Sequence, residues 1–130
     1  MSAMAFREPN QVKWVGIRPG HNGSQVFKYA SATNGVTIVH TVTAGKTLYL
    51  VTASIMSLSN QASNGFIGVR NGADVDQGYL CHVIGAALGG YPSPLWYSMP
   101  PLELPAGWDV YVQSGAAGFT AIGTIFGWEE

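Results

Sequence analysis

The chain has 130 residues and a net charge of −1 at pH 7, and only 10% of its residues are charged. This length predicts one domain, the single cysteine excludes an internal disulfide framework, and the scattered basic residues argue against nucleic acid as a partner. Charged residues normally make up about 25% of a soluble domain. So few charges, together with four Trp and six Tyr residues, predict a protein that buries part of its surface in a homo-oligomer.

The N-terminal segment, residues 1–25, differs in pattern from the rest of the chain. Pro9 and Pro19 interrupt it, and the segment predicts either an extended arm that reaches a neighbouring subunit or an edge strand of the same domain. It lacks the apolar run of a signal peptide, and no stretch of the chain approaches the roughly 20 apolar residues of a membrane helix. We therefore expect a soluble protein, made in a cytoplasm and without a membrane partner, in which residues 26–130 form the main domain.

Short runs of branched and aromatic residues recur along the chain, separated by turns rich in Gly and Asn. They lie at Gln11–Arg18, Gln25–Ala30, Val36–Val42, Thr47–Ser57, Gly65–Arg70, Tyr79–Ile84, Leu95–Met99, Trp108–Gln113 and Thr120–Trp128. Such runs favour strands, whereas the Ala-rich patches are flanked by glycines that oppose a helix. The pattern predicts an all-β, jelly-roll-like β-sandwich of eight or nine strands with little or no helix. The strand near residue 50 is expected to pair with the last strand, near residue 125.

One sequence phrase occurs twice in the chain. Thr43–Val51 and Pro105–Gln113 each contain Ala-Gly, then two variable residues, then an apolar-Tyr-apolar strand. Glycine supplies the backbone freedom that a tight turn needs. We therefore expect Tyr49 and Tyr111 to occupy comparable positions in two similar halves of the fold.

The residue types that usually carry chemistry form no recognisable motif. His21, His40 and His82 lack metal-ligand spacing, and Cys81 lies in an apolar strand, where a thiol is unreactive. The segment Asn71–Gly78 has oxygen groups at alternate positions, as calcium loops do, but it lacks a further carboxylate. An Asx-rich turn is the preferred interpretation, and calcium is left open. The sequence thus predicts no enzyme, no catalytic or metal-binding residue and no cofactor.

The acidic residues offer no convincing pair for acid–base catalysis either. Glu129 and Glu130 end the chain, and we interpret them as a solvated C-terminus.

Aromatic residues provide the candidate binding surface. The segment Tyr91–Pro101 combines three aromatic residues with four prolines, and Trp14 lies in a short apolar island near the N-terminus. Trp14, Tyr91, Trp96 and Tyr97 are therefore candidates for an interface or for stacking on a ligand such as a sugar ring. A core position between two sheets is an open alternative for Trp96 and Met99.

Two stretches of the chain resemble small β-sandwich structural proteins of tailed bacteriophages. They are residues 36–59, where an Ala-Gly-Lys turn precedes a long apolar strand, and residues 102–130, which end in Ile122–Glu129. Such proteins often carry a Val-Pro-Ala-Gly-Lys turn. Here Thr43 replaces the proline in the first copy, and Pro105 keeps it in the second. The resemblance covers under half of the chain and rests on turn-and-strand patterns.

This resemblance implies a virion component: a capsid decoration (cement) protein that stabilises the particle by oligomeric assembly, or a tail or fibre module. Trimers are common among such proteins, so a homotrimer in contact with the major capsid protein or another virion protein is expected. The resemblance transfers no catalytic residue. Two other hypotheses stay open. One is a carbohydrate-binding, lectin-like β-sandwich, and the other is a small cupin-like enzyme, which would need a histidine cluster that the sequence does not display.

Overall fold

The computed structural model describes residues 23–58, 63–85 and 94–130, and strands make up most of them. The strands are β1 (Ser24–Thr33), β2 (Gly35–Thr41), β3 (Leu48–Ser57), β4 (Ser63–Arg70), β5 (Asp76–Gly85), β6 (Leu95–Leu104), β7 (Asp109–Ser114) and β8 (Thr120–Glu129). No helix occurs within these described ranges. The same residues accordingly include no helix that is long and apolar enough to span a membrane.

The strands form two four-stranded antiparallel sheets. The first sheet has the order β1-β8-β3-β6, and the second has the order β2-β7-β4-β5. The two halves of the chain, β1–β4 and β5–β8, are topologically equivalent. When each strand is replaced by its counterpart in the other half (β1 by β5, β2 by β6 and so on), the order of the first sheet becomes that of the second sheet in reverse. This arrangement of two Greek keys in two sheets is the jelly-roll form of the β-sandwich.

The predicted fold class is confirmed. The predicted strand runs that fall within the described residues correspond to β1–β8, and β3 pairs with β8, with Ser54 opposite Thr124. The predicted strand Gln11–Arg18 and most of the proposed N-terminal segment lie outside the described residues. β1 begins at Ser24, slightly before the expected domain boundary at residue 26.

β6 is longer than predicted, because it continues past Met99 to Leu104. Proline has no N–H to donate, so within sheets it is confined largely to edge strands and bulges. β6 is an edge strand of the first sheet, and its pairing with β3 is interrupted between Leu50 and Thr52. Two consecutive prolines, Pro100 and Pro101, lie in this interruption, so the strand accommodates them.

The duplicated phrase forms the same turn twice. Gly45 and Gly107 have φ angles of 78° and 82°, as position three of a type II turn requires. In each copy the amide after the glycine donates to the carbonyl three residues earlier, over 3.0 Å in the first copy and 3.2 Å in the second. Tyr49 and Tyr111 then follow at the same offset on the topologically equivalent strands β3 and β7. The prediction that the two tyrosines occupy comparable positions is confirmed.

The hydrophobic core lies between the two sheets and is built from the inward residues of most strands. Its members include Leu48, Leu50, Ala53, Ile55, Ile67, Val69, Val83, Val110, Val112, Ala121 and Ile125. Successive side chains on a strand point to opposite faces, and full burial of a Val, Leu or Ile side chain is worth roughly 1.5–3 kcal/mol. The core therefore fixes which residues of each strand face outward, and these outward residues form the surfaces described next.

Candidate functional site

The outward side of the first sheet carries continuous rows of uncharged side chains. One row consists of Phe27, Phe126, Thr52 and Tyr97, each directly opposite the next across β1, β8, β3 and β6. A parallel row consists of Tyr29, Thr124, Ser54 and Leu95. Each row takes one residue from each of the four strands, so it spans the whole width of the sheet, and its members are about 4.8 Å apart. No member of either row is charged.

Four of the five large side chains in these rows are exposed, and Phe126 is half-buried. Phe27 is 70% exposed, Tyr29 77%, Leu95 65% and Tyr97 68%. Met56 and Met99 extend the surface at its margins, with 40% and 55% exposure. We define the apolar face as the outward side chains of Phe27, Tyr29, Met56, Leu95, Tyr97, Met99 and Phe126. Contiguous exposed apolar patches larger than a few hundred Å² are uncommon on soluble monomers and mark interaction sites.

The four aromatic candidates from the sequence do not form one surface among the described residues. Trp14 and Tyr91 lie outside the described part of the chain. Trp96 is half-buried and packs against the core, as the alternative interpretation expects. The same interpretation is wrong for Met99, which is 55% exposed. Tyr97 follows Trp96 on β6 and therefore points to the opposite side of the sheet, where it belongs to the apolar face. The other members of this face come from four separate strands, so no local sequence pattern indicates them.

A second outward surface is a depression of about 430 Å³ on the second sheet, lined by Asn64, Phe66, Tyr79 and His82. Phe66 on β4 lies directly opposite His82 on β5. The rings of Phe66 and Tyr79 are 4.5 Å apart between centroids and meet at 64°. We call these four residues the aromatic depression. Asn64, Tyr79 and His82 are exposed, and Phe66 is half-buried.

Tyr111 lies next to this depression, against Phe66. It is only 1% exposed although it points outward from β7. Its ring lies over Gly68, where an added Cβ would be 2.6 Å from the hydroxyl oxygen. The hydroxyl donates a hydrogen bond of 2.7 Å to Oδ1 of Asp76, and the Arg70 guanidinium lies 5.1 Å from the ring centroid. Burial is the larger cause, and the hydrogen bond to Asp76 the next, of a raised pKa at Tyr111. The tyrosine is thus held neutral and in place.

Glu129 is not solvated, which corrects the interpretation of the C-terminus. It is 6% exposed. Its Oε2 accepts a hydrogen bond of 3.0 Å from the Thr43 backbone N–H and lies 2.6 Å from Nε2 of His40. The Thr43 hydroxyl donates to Oε1 at 2.7 Å. Burial alone would raise the pKa of Glu129, but the hydrogen bonds from Thr43 and His40 outweigh it and lower the pKa below its ordinary value of 4.5. This cluster joins the end of β8 to β2 and the first Ala-Gly turn.

The segment Asn71–Gly78 and Cys81 have no features of a reactive site. The Asn71 side-chain oxygen accepts hydrogen bonds from the backbone amides of Ala73 and Val75, at 2.8 and 3.0 Å, as in an Asx turn. Burial raises the pKa of the Cys81 thiol to about 11, so little thiolate forms near neutral pH. No cluster of three or more His, Cys, Asp or Glu that could hold a metal ion is present among residues 23–58, 63–85 and 94–130.

Comparison of the sequence with protein-family models and with curated proteins gives no match. The two outward surfaces are therefore described by their geometry alone: the apolar face is large, exposed and uncharged, and the aromatic depression is concave and lined by two aromatic rings, an amide and an imidazole.

Proposed function

We propose that this protein is a non-enzymatic structural component of a bacteriophage particle, a capsid decoration protein that stabilises the particle by assembling with other copies of itself. The apolar face is the observation that carries this proposal. The jelly-roll fold and the resemblance of residues 36–59 and 102–130 to phage structural proteins support it.

The size of the apolar face supports a second copy of this chain as its occupant. Aromatic side chains bury roughly 150–250 Å² each, so Phe27, Tyr29 and Tyr97, which are 70%, 77% and 68% exposed, offer on the order of 400 Å². Leu95, Met56 and Met99 extend this area toward the about 800 Å² that each partner contributes to a standard interface.

The chemistry of the face also favours self-association over a charged partner. Its rows contain no charged side chain, so the face needs no counter-charge and can pack against an uncharged surface of a neighbouring copy, as the heterologous interfaces of a cyclic trimer require. Interfaces are enriched in Tyr, Phe and Met and depleted of charges at their centres, which is the composition found here. The expected assembly is a trimer, as the resemblance implies, in contact with a major capsid or other virion protein.

Light scattering coupled to size exclusion tests the assembly. We expect a stable species with a mass three times the 13.8 kDa of one chain, and a monomer at micromolar concentration would contradict the proposal.

The genes beside the coding sequence test the particle assignment. Capsid, portal or tail genes are expected there, and a setting without any virion gene would argue against it.

A further inference from the structure

We infer that the aromatic depression on the second sheet binds a neutral saccharide. This site is separate from the apolar face, since the two lie on the outward sides of different sheets. The depression of about 430 Å³ falls within the roughly 300–1,000 Å³ of small-molecule sites.

Its geometry provides both a stacking surface and polar edges. The Phe66 and Tyr79 rings, 4.5 Å apart at 64°, present two ring surfaces at an angle to each other. The Asn64 amide can donate and accept hydrogen bonds, and so can the His82 imidazole. A sugar ring has an apolar C–H side that suits the electron-rich face of an aromatic ring, and its hydroxyl groups both donate and accept hydrogen bonds.

The depression is held in shape by the residues next to it. Phe66 contacts the ring of Tyr111 edge to face, with centroids 6.4 Å apart, and Tyr111 is fixed by its hydrogen bond to Asp76. The Tyr79 side chain projects outward at a register shift of β5 against β4, between Ile67 and Gly68. A binding surface that is already ordered loses less conformational entropy when its ligand binds.

The residues that line the depression argue against other ligand classes. No Lys, Arg, Asp or Glu is among the four described residues that line it, so these residues offer a phosphate or carboxylate ligand no fixed opposite charge. Single-stranded nucleic acid also stacks on aromatic rings, but it needs a positively charged groove for its backbone. An uncharged, hydroxyl-rich ring compound remains the best match to two aromatic rings, an amide and an imidazole.

A glycan array and saturation-transfer NMR with a panel of methyl pyranosides test the inference on the wild-type protein. We expect at least one saccharide to bind, and Tyr79→Ala to weaken its binding about tenfold, a loss of about 1.4 kcal/mol. His82→Ala should weaken it as well. Tyr79 is 61% exposed, so its truncation leaves the core intact, which circular dichroism can check.

Leu58→Ala is the matched control, because Leu58 is as exposed as Tyr79, at 62%, and belongs neither to the depression nor to the apolar face. It should leave saccharide binding unchanged. Binding of no glycan in the array and the panel would overturn the inference. So would binding that survives both Tyr79→Ala and His82→Ala, or binding that Leu58→Ala reduces equally. Light scattering on the same variants shows independently whether assembly is kept.

Discussion

Phe27 and Phe126 meet edge to face on the outward side of the first sheet, with ring centroids 6.4 Å apart and an angle of 71° between the ring planes. They are directly opposite each other on β1 and β8. Aromatic pairs in this geometry contribute about 0.5–1.5 kcal/mol beyond their area burial, so the pair helps to hold the edge strand β1 in the sheet. Yet Phe27 stays 70% exposed. The same pair therefore supports the fold and offers apolar area to a partner.

Placing a charge in this face should break the proposed assembly. In Phe27→Lys, an ammonium group would have to enter an uncharged interface, and the effective desolvation penalty is several kcal/mol per ion. We expect the oligomer seen by light scattering to dissociate to monomer at concentrations where the wild type is assembled. Val75→Lys is the control, since Val75 is also exposed, at 54%, but lies in the turn before β5. An oligomer that persists in Phe27→Lys would exclude this face as the interface.

The fold could be predicted from the sequence because its signals are local. Turn residues separate the strand runs, and the repeated Ala-Gly turn marks the two equivalent halves through Gly45 and Gly107, whose backbone angles nearly coincide. The pairing of Phe66 with His82 is not local in this sense, because it depends on two register shifts of β5 against β4, one between Ile67 and Gly68 and one between Val69 and Arg70. A regular hairpin read from the sequence would place Phe66 opposite Leu80, so the aromatic depression could not have been located in this way.

The contact between His40 and Glu129 could not be predicted in the same way. The two residues are 89 positions apart, and they meet only because β2 and β8, which belong to different sheets, come together at one end of the sandwich. A pair of glutamates at a chain end gives no local indication of burial. Similarly, the apolar face takes residues from four strands, and its rows depend on the order of the strands in the sheet.

The buried carboxylate of Glu129 should make stability depend on pH. Its pKa in the folded protein is lowered from 4.5, so folding favours the ionised form. The stabilisation is present above pH 4.5 and is lost as the pH falls through the lower, folded-state pKa. Glu129→Gln should lower the free energy of unfolding by about 1–3 kcal/mol at pH 7, and the difference from wild type should shrink at acid pH.

Urea denaturation at a series of pH values measures this effect. Glu103→Gln serves as the control because Glu103 is an exposed glutamate on β6, and its stability should follow that of the wild type at every pH. If Glu129→Gln lost stability in acid as steeply as the wild type, the hydrogen bonds from Thr43 and His40 would not be the source of the pH dependence.

Gly68 should be required because the ring of Tyr111 lies over it. A Cβ at this position would be 2.6 Å from the Tyr111 hydroxyl oxygen and 2.7 Å from Cζ, and the ring is held by the hydrogen bond from its hydroxyl to Asp76. Gly68→Ala should therefore destabilise the protein by about 1–3 kcal/mol, the usual cost of overpacking. Gly72→Ala is the control, since its added Cβ would come no closer than 3.7 Å to the Gly107 carbonyl oxygen. Equal melting temperatures for the two variants would contradict this account of Tyr111.

The two Ala-Gly turns should respond equally to the same substitution. Gly45 and Gly107 have φ angles of 78° and 82°, and an added Cβ would meet nothing within 4 Å at either position. The cost of Gly45→Ala and of Gly107→Ala is therefore a backbone cost alone, about 1–2 kcal/mol for an L-residue in the left-handed region. Asn tolerates this region better than Ala, so Gly45→Asn and Gly107→Asn should each recover part of the loss. Urea denaturation of the four variants measures these costs. Clearly unequal losses for the two alanine variants would contradict the equivalence of the turns, because neither site offers a steric contact that could separate them.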